Sequence, residues 1–226
     1  MDFDEFVLAA STAVLDDEPD ARPHADAVEF RMDLAADPLA ALRNYGGTLP
    51  IIATNRVNWE GGQAEDDATR LDTLCAAAAE TAVEAVDIEL AAILNGDGAR
   101  VVDAARESDT KVIVSVHDFE ETPRIAELRH LLKEATDHGD VGKLACTATS
   151  VDDVLDLLFA TRTFSMNGRP VATMAMGKLG RHSRVVAPLY GSCLGFAPIR
   201  PEDATAPGQY DLATLRQLLT QLQGDG

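Results

Sequence analysis

A single (β/α)8 barrel spanning residues 1–226 is the fold class that the sequence predicts, on three observations. Eight short β-rich runs alternate with segments able to hold helices, which points to a parallel sheet, and eight such units fit one closed barrel of 226 residues. Apolar residues make up 46% of the chain, enough for one sizeable core. Ionisable residues gather towards the carboxyl ends of the runs, where a barrel opens into its pocket.

The runs are EFVLAA (5–10), AVEFRMD (27–33), PIIATN (50–55), AVDIEL (85–90), KVIVSVHD (111–118), GKLACTA (142–148), PVATMAMG (170–177) and SCLGFA (192–197). The first unit is the weakest, because DDEPDARPHAD (16–26) carries two prolines and holds at most a stub of helix. DDATRLDTLCAAAAETAV (66–83) has helical periodicity. So does TPRIAELRHLLKEATDHG (122–139), with a proline near its first turn and a glycine at its close. The last unit follows RPEDATAPGQ (200–209) and ends in the helix YDLATLRQLLTQLQ (210–223). An open doubly wound sheet would alternate in the same way, but no glycine-rich dinucleotide fingerprint follows the first run.

The net charge is −19 and the isoelectric point about 4.4, which excludes nucleic acid and anionic membrane as partners, since both would be repelled. Only four of the nineteen cations are lysine, and the acidity is spread along the chain, as on the solvated surface of a protein from a high-salt cytoplasm. No stretch approaches the roughly 18 apolar residues of a membrane span, and MDFDEFVLAA lacks the basic region of a secretory signal, so a cytoplasmic location is expected. Cys75, Cys146 and Cys193 are widely spaced in apolar surroundings and are expected as small core residues rather than disulfide or zinc partners.

On a strand of such a barrel the outward face must be apolar, to meet helices, and charge is tolerable only on the inward face near the mouth. VEFRMDL (28–34) fits that demand, with Val28, Phe30, Met32 and Leu34 on one side and Glu29, Arg31 and Asp33 on the other. The same reading aims Thr54, Arg56, Asp87, Glu89, Ser115, His117 and Lys143 at the mouth, followed by Lys178, Arg181 and Arg184 of MGKLGRHSR. MGKLG has a loose likeness to a phosphate-cradling turn but lacks the spacing, and HDFEE (117–121) has no second histidine at metal-ligand spacing, so no metal is expected.

Lys143 carries the chemistry in this reading. A lysine on a barrel strand between Val141 and Ala145 is costly to bury. Near other cations a desolvated lysine becomes a nucleophile towards carbonyls, and His117 one strand away can move protons on the resulting imine. Imine chemistry on a small carbonyl compound follows, whether in a dehydratase or in an aldolase of the same barrel type. A barrel that merely binds a small acid gives no reason for the lysine.

In order and spacing, EFRMD (29–33), TNR (54–56) with EGG (60–62), DIEL (87–90), VSVHDFEETP (114–123), GKLA (142–145), MAMGKLGRHSR (174–184), YGS (190–192) and APGQ (206–209) resemble the type I 3-dehydroquinate dehydratases of the shikimate pathway. The resemblance runs from about residue 7 to 222. It implies a lyase without metal or cofactor that removes water from 3-dehydroquinate to give 3-dehydroshikimate. It implies that Lys143 forms the Schiff base, that His117 moves the proton, and that Glu60 pairs with His117. Glu29, Arg31 and Arg56 are similar to the residues that hold the ring hydroxyls, and Arg184 to the partner of the substrate carboxylate. Thr205 and Gln209 are similar to the residues of a loop that closes over the substrate, with Ser11 a further match at the end of the first strand. The resemblance also implies a homodimer.

Overall fold

In the computed structural model, residues 1–65 and 68–223 are described. They form an eight-stranded parallel sheet ordered β7-β6-β5-β4-β3-β2-β1-β8, with helices outside it. The chain runs β1 (Val7–Thr12), α1 (Glu18–Ala21), β2 (Ala27–Arg31), α2 (Pro38–Arg43), β3 (Ile51–Thr54), α3 (Ala68–Ala78) and β4 (Val83–Glu89). It continues through α4 (Leu90–Asn95), α5 (Ala99–Glu107), β5 (Lys111–Asp118), α6 (Ile125–His138), β6 (Val141–Thr147) and α7 (Val151–Met166). β7 (Val171–Met176), α8 (Gly177–Gly180), α9 (Ser183–Val186), β8 (Leu194–Pro198) and α10 (Leu212–Gln223) complete it. This is the (β/α)8 barrel read from the sequence.

The barrel closes through a narrow seam. β7 and the segment just before β8 share a parallel bridge, Val171 with Ser192, where the Cys193 amide donates to the Val171 carbonyl at 2.8 Å. The Ser192 hydroxyl accepts from the Thr173 amide at 3.0 Å, standing in for a carbonyl that a regular ladder would supply. Strand pairing that stops short would otherwise leave that buried amide unmet.

The side chains sort as pleated strands require. Ala9, Ile52, Ile113, Val141, Ala172 and Leu194 plug the barrel interior, while Val28, Phe30, Val86, Ile88, Val112 and Val114 pack outward against helices. Above the plug the inward positions turn polar, with Glu29, Thr54, Asp87, Ser115 and Lys143 all buried.

Three expectations need correction. The strand of VEFRMDL ends at Arg31, and Met32–Leu34 forms a 3-10 turn, so Leu34 is exposed instead of sharing the apolar face. Asp33 leaves the strand too and folds back onto Arg31, accepting from Nε at 2.9 Å and from Nη2 at 2.7 Å. The helical pattern of residues 66–83 runs too long: α3 ends at Ala78 and Val83 already opens β4, while Asp66 and Asp67 lie outside the described residues. Of the cysteines, Cys146 and Cys193 are buried but Cys75 is only half-buried; all three are free thiols.

Helix α7 escaped the periodicity reading although it is the longest helix among the described residues. Its inner face is apolar through Val154, Leu157, Leu158 and Phe164, but its outer face carries Val151, Leu155, Phe159 and Met166 as well. A helix apolar on both sides shows no amphipathic stripe.

Candidate active site

Lys143, on β6, points into the barrel just above the apolar plug and is buried. Its ammonium donates to Asp87 Oδ2 at 2.8 Å, lies 3.8 Å from Glu29 Oε1 and sits 4.0 Å over the Phe196 ring. The charges in direct contact with it are therefore carboxylates, not the cations expected from the sequence. Asp87 stands between Lys143 and Arg56, accepting from Arg56 Nη2 at 2.6 Å and from the Ser115 hydroxyl at 2.6 Å. Burial alone would raise the Asp87 carboxyl, but the Arg56 and Lys143 cations outweigh it and hold the group well below the usual carboxylate range. Asp87 thus stays ionised and anchors the lysine.

Arg56 faces the pocket with much of its guanidinium already engaged: Nη1 donates to Glu89 at 2.8 Å and to Ser115 at 2.7 Å. Arg70 from α3 donates to the second Glu89 oxygen at 2.7 Å. A lattice of buried, paired charges fixes the floor of the site, as burial of such groups demands.

His117, at the end of β5, and Glu60 meet at 2.8 Å between Nδ1 and Oε2. Their contact depends on the turn after Arg56. Asn58–Glu60 forms a 3-10 turn ended by Gly61 at φ 80°, and the Gly62 amide donates to the Val57 carbonyl at 2.9 Å. A Cβ on Gly61 would strike the Phe119 ring and one on Gly62 the Arg56 backbone, so EGG is the sequence that lets Glu60 double back onto the histidine. Burial pushes the Glu60 carboxyl up to about 8. Burial, reinforced by the Arg56 and Lys143 cations, holds His117 well below its ordinary value. The imidazole is therefore unprotonated at neutral pH and able to accept a proton.

Arg184 comes from α9, where the buried Ser183 hydroxyl accepts from the Ala175 amide at 2.8 Å and ties the turn to the end of β7. The guanidinium is buried in the pocket wall, Nε finds no hydrogen-bond partner among the described residues, and burial pushes its pKa down to about 10. It remains a cation at neutral pH. An uncompensated buried arginine is a receptor for an anion, and its planar fork suits a carboxylate.

The loop before α10 forms the roof. Gln209 Oε1 accepts from the Thr205 and Ala206 amides at 2.8 and 3.0 Å, and all three residues line the pocket. The Gly177 amide donates to the Pro207 carbonyl at 3.1 Å, and a Cβ on Gly208 would hit the Gly177 carbonyl. The MGKLG turn is thus a seat for the APGQ loop rather than a phosphate cradle.

Residues 7–225 match the family model described as type I 3-dehydroquinase. The chain belongs to that family. It is 56% identical to a 3-dehydroquinate dehydratase of Haloarcula marismortui over all of both chains. It is 53% identical to one of Halobacterium salinarum, over 99% of this chain and all of the relative. Among solved structures, the 3-dehydroquinate dehydratase of Geobacillus kaustophilus superposes with a TM-score of 0.87 at 31% identity, covering 97% of this chain and 91% of that one. Two halophile relatives at this identity fit the acidic surface read from composition.

For this type I 3-dehydroquinase, the structure gathers Lys143, His117, Glu60, Glu29, Arg31, Arg56, Arg184, Thr205 and Gln209 around one pocket. Ser11 stands behind it, donating to Glu29 Oε2 at 2.5 Å while the Thr54 hydroxyl donates to Oε1 at 3.2 Å, so its contact is with the glutamate. Lys178 and Arg181 do not reach the mouth: both are exposed, and Arg181 lies 3.8 Å over the Tyr210 ring. Sequence reasoning left Phe119, Met174, Met176 and Phe196 of the wall without a role, though the alternation of β7 and β8 places the last three inward. Arg70 carried no readable signal, because a helix residue that reaches over a strand end looks like any surface arginine.

Proposed function

We propose that the chain dehydrates 3-dehydroquinate to 3-dehydroshikimate through a Schiff base on Lys143. As a type I 3-dehydroquinase it is a carbon–oxygen lyase of the shikimate pathway. The observation that carries the assignment of roles is that a buried lysine amine shares one pocket with a His117–Glu60 pair and an uncompensated Arg184.

Arg184 binds the substrate carboxylate, while Glu29 and Arg31, held by Ser11 and Asp33, take the ring hydroxyls. The Lys143 ammonium gives up a proton, its amine adds to the ketone, and that proton returns to carry the carbinolamine hydroxyl away as water, leaving a protonated imine. That cation acidifies the neighbouring carbon, and His117 removes its proton to form an enamine. The electron pair then expels the β-hydroxyl, which leaves as water with the proton His117 returns. One water hydrolyses the conjugated imine and frees the product, so the net change is the loss of one water. The direct test is an ultraviolet assay for the conjugated product on 3-dehydroquinate; no absorbance rise would refute the activity. The same reading places the enzyme in the cytoplasm as a homodimer. Among the described residues no helix is long and apolar enough to cross a membrane.

Proton abstraction requires an unprotonated His117 with Nδ1–H directed at an ionised Glu60. With Glu60 titrating at about 8 and His117 neutral throughout that range, kcat/KM is expected to rise with pH as one proton leaves the pair, levelling above about 8. Glu60→Gln should lower activity and remove that limb. A pH–rate profile identical in wild type and variant would contradict the pairing.

Arg184→Met should raise KM on the order of 10- to 100-fold, the scale of lost hydrogen bonds between charged groups. Because the wild-type cation is buried without compensation, the same change should leave the melting temperature unchanged or higher. Loss of both affinity and stability would assign Arg184 a structural part instead.

A further inference from the structure

Arg181 has no part in the chemistry. It is exposed, and its guanidinium makes no ion pair or hydrogen bond among the described residues. The group nevertheless has a defined place, 3.8 Å over the centroid of the Tyr210 ring. A guanidinium at that distance is attracted by the negative face of the ring, and nothing polar competes for it. The Tyr210 hydroxyl makes no hydrogen bond among the described residues either, and the ring packs against the apolar cluster that holds Leu8, Ala10 and Leu212. Tyr210 therefore serves as an apolar platform for the cation.

The place of this stack in the chain gives it a use. Tyr210 directly follows Gln209, whose Oε1 gathers the Thr205 and Ala206 amides into the roof of the pocket. Arg181 stands three residues before Arg184, on the segment whose Gly177 amide donates to the Pro207 carbonyl. The roof loop thus rests at two points, Gly177 and Arg181, on the piece of chain that brings Arg184 into the pocket. Its other end is tied differently: Arg200 holds Asp17 at 2.9 and 3.1 Å, with the arginine side chain 42% exposed. Molar salt, where the Debye length is roughly 3 Å, screens an exposed pair of that kind, but no ion fits between a guanidinium and the ring it lies on.

We infer that Arg181 is a positioning residue for the dehydration: stacked on Tyr210, it latches the Thr205–Gln209 loop shut over the substrate. The inference rests on the reading of that loop as the roof of the site, and it is independent of the chemistry at Lys143. The latch acts on binding rather than on bond breaking. Where only the closed loop holds substrate, apparent affinity falls with the closed fraction, while the bound complex reacts as before.

Hydrogen exchange of the Thr205 and Ala206 amides in the substrate-free full chain reads the opening of the loop. Arg181→Ala should speed both by about 2- to 5-fold, the worth of one exposed cation–ring contact, and raise KM by a similar factor with kcat not lowered. Its circular-dichroism melt should stay near wild type, because Arg181 is exposed. Arg181→Lys, which keeps the cation without the planar fork, should lie between the two, and Tyr210→Phe, which keeps the ring, should behave as wild type. Tyr210→Leu should match Arg181→Ala, and the two changes together should do no more than either alone. These differences should persist in molar KCl. Equal exchange in wild type and Arg181→Ala, or additive effects in the double variant, would overturn the latch. Faster exchange with KM unchanged would overturn its part in binding, and an effect that vanishes in molar KCl would overturn the stack as its cause. Because exchange is measured without substrate, a wild type that fails to turn over 3-dehydroquinate would count against the proposed reaction, while the exchange result still decides the latch.

Discussion

Lys143→Ala is expected to lose both covalent capture of 3-dehydroquinate and its turnover, by on the order of 10⁵-fold or more. Without the amine no protonated imine forms, and the carbon beside a plain ketone is too weakly acidic for a histidine to deprotonate at a comparable rate. Lys143→Arg should be equally inactive: it keeps a charge beside Asp87, but a guanidinium stays protonated and cannot add to a carbonyl. Borohydride added during wild-type turnover should trap a reduced adduct on the peptide holding residue 143. A label on the peptide of Lys178 would point to the wrong lysine, and its exposed position outside the pocket argues against that outcome.

His117→Ala should still capture the substrate while losing turnover by ~10⁴-fold, the upper end for a positioned acid–base group, since one imidazole serves in more than one step. The geometry separates the two residues: Lys143 is anchored by Asp87, whereas His117 is oriented by Glu60 from a different loop. Removing the histidine therefore leaves the lysine in place. Mass spectrometry of each variant mixed with 3-dehydroquinate, with and without borohydride, reads the difference. A His117→Ala enzyme of normal rate, or a Lys143→Ala protein that still forms an adduct, would reject this division of labour.

The barrel and most of its pocket were legible because the constraint behind them is local. A strand covered by helices must be apolar on alternate residues, so an inward charge at a strand end stands out in the sequence, as Glu29, Asp87, His117 and Lys143 do. Ends of elements were less legible. Met32, Asp33 and Leu34 continue the alternation of β2, yet the chain turns there and Asp33 folds back to accept from the Arg31 guanidinium, a contact that alternation does not encode. α7 was illegible for the opposite reason, having apolar residues on the face turned away from the barrel as well as on the face turned towards it.

By itself, the sequence determined the fold class, the inward set of ionisable residues and the acidic surface, all of which follow from residue order, periodicity and charge. Tertiary structure alone decided which of those charges meet. Asp87 rather than a cation faces Lys143, Glu60 reaches His117 only because Gly61 and Gly62 fold the loop back, Arg70 arrives from a helix, and Arg184 stays without a counter-charge among the described residues while Lys178 and Arg181 turn outward. The physical reason is that an ion pair or a desolvated cation depends on distances of a few ångströms between residues far apart in the chain, and strand alternation states only which side of a strand each one leaves.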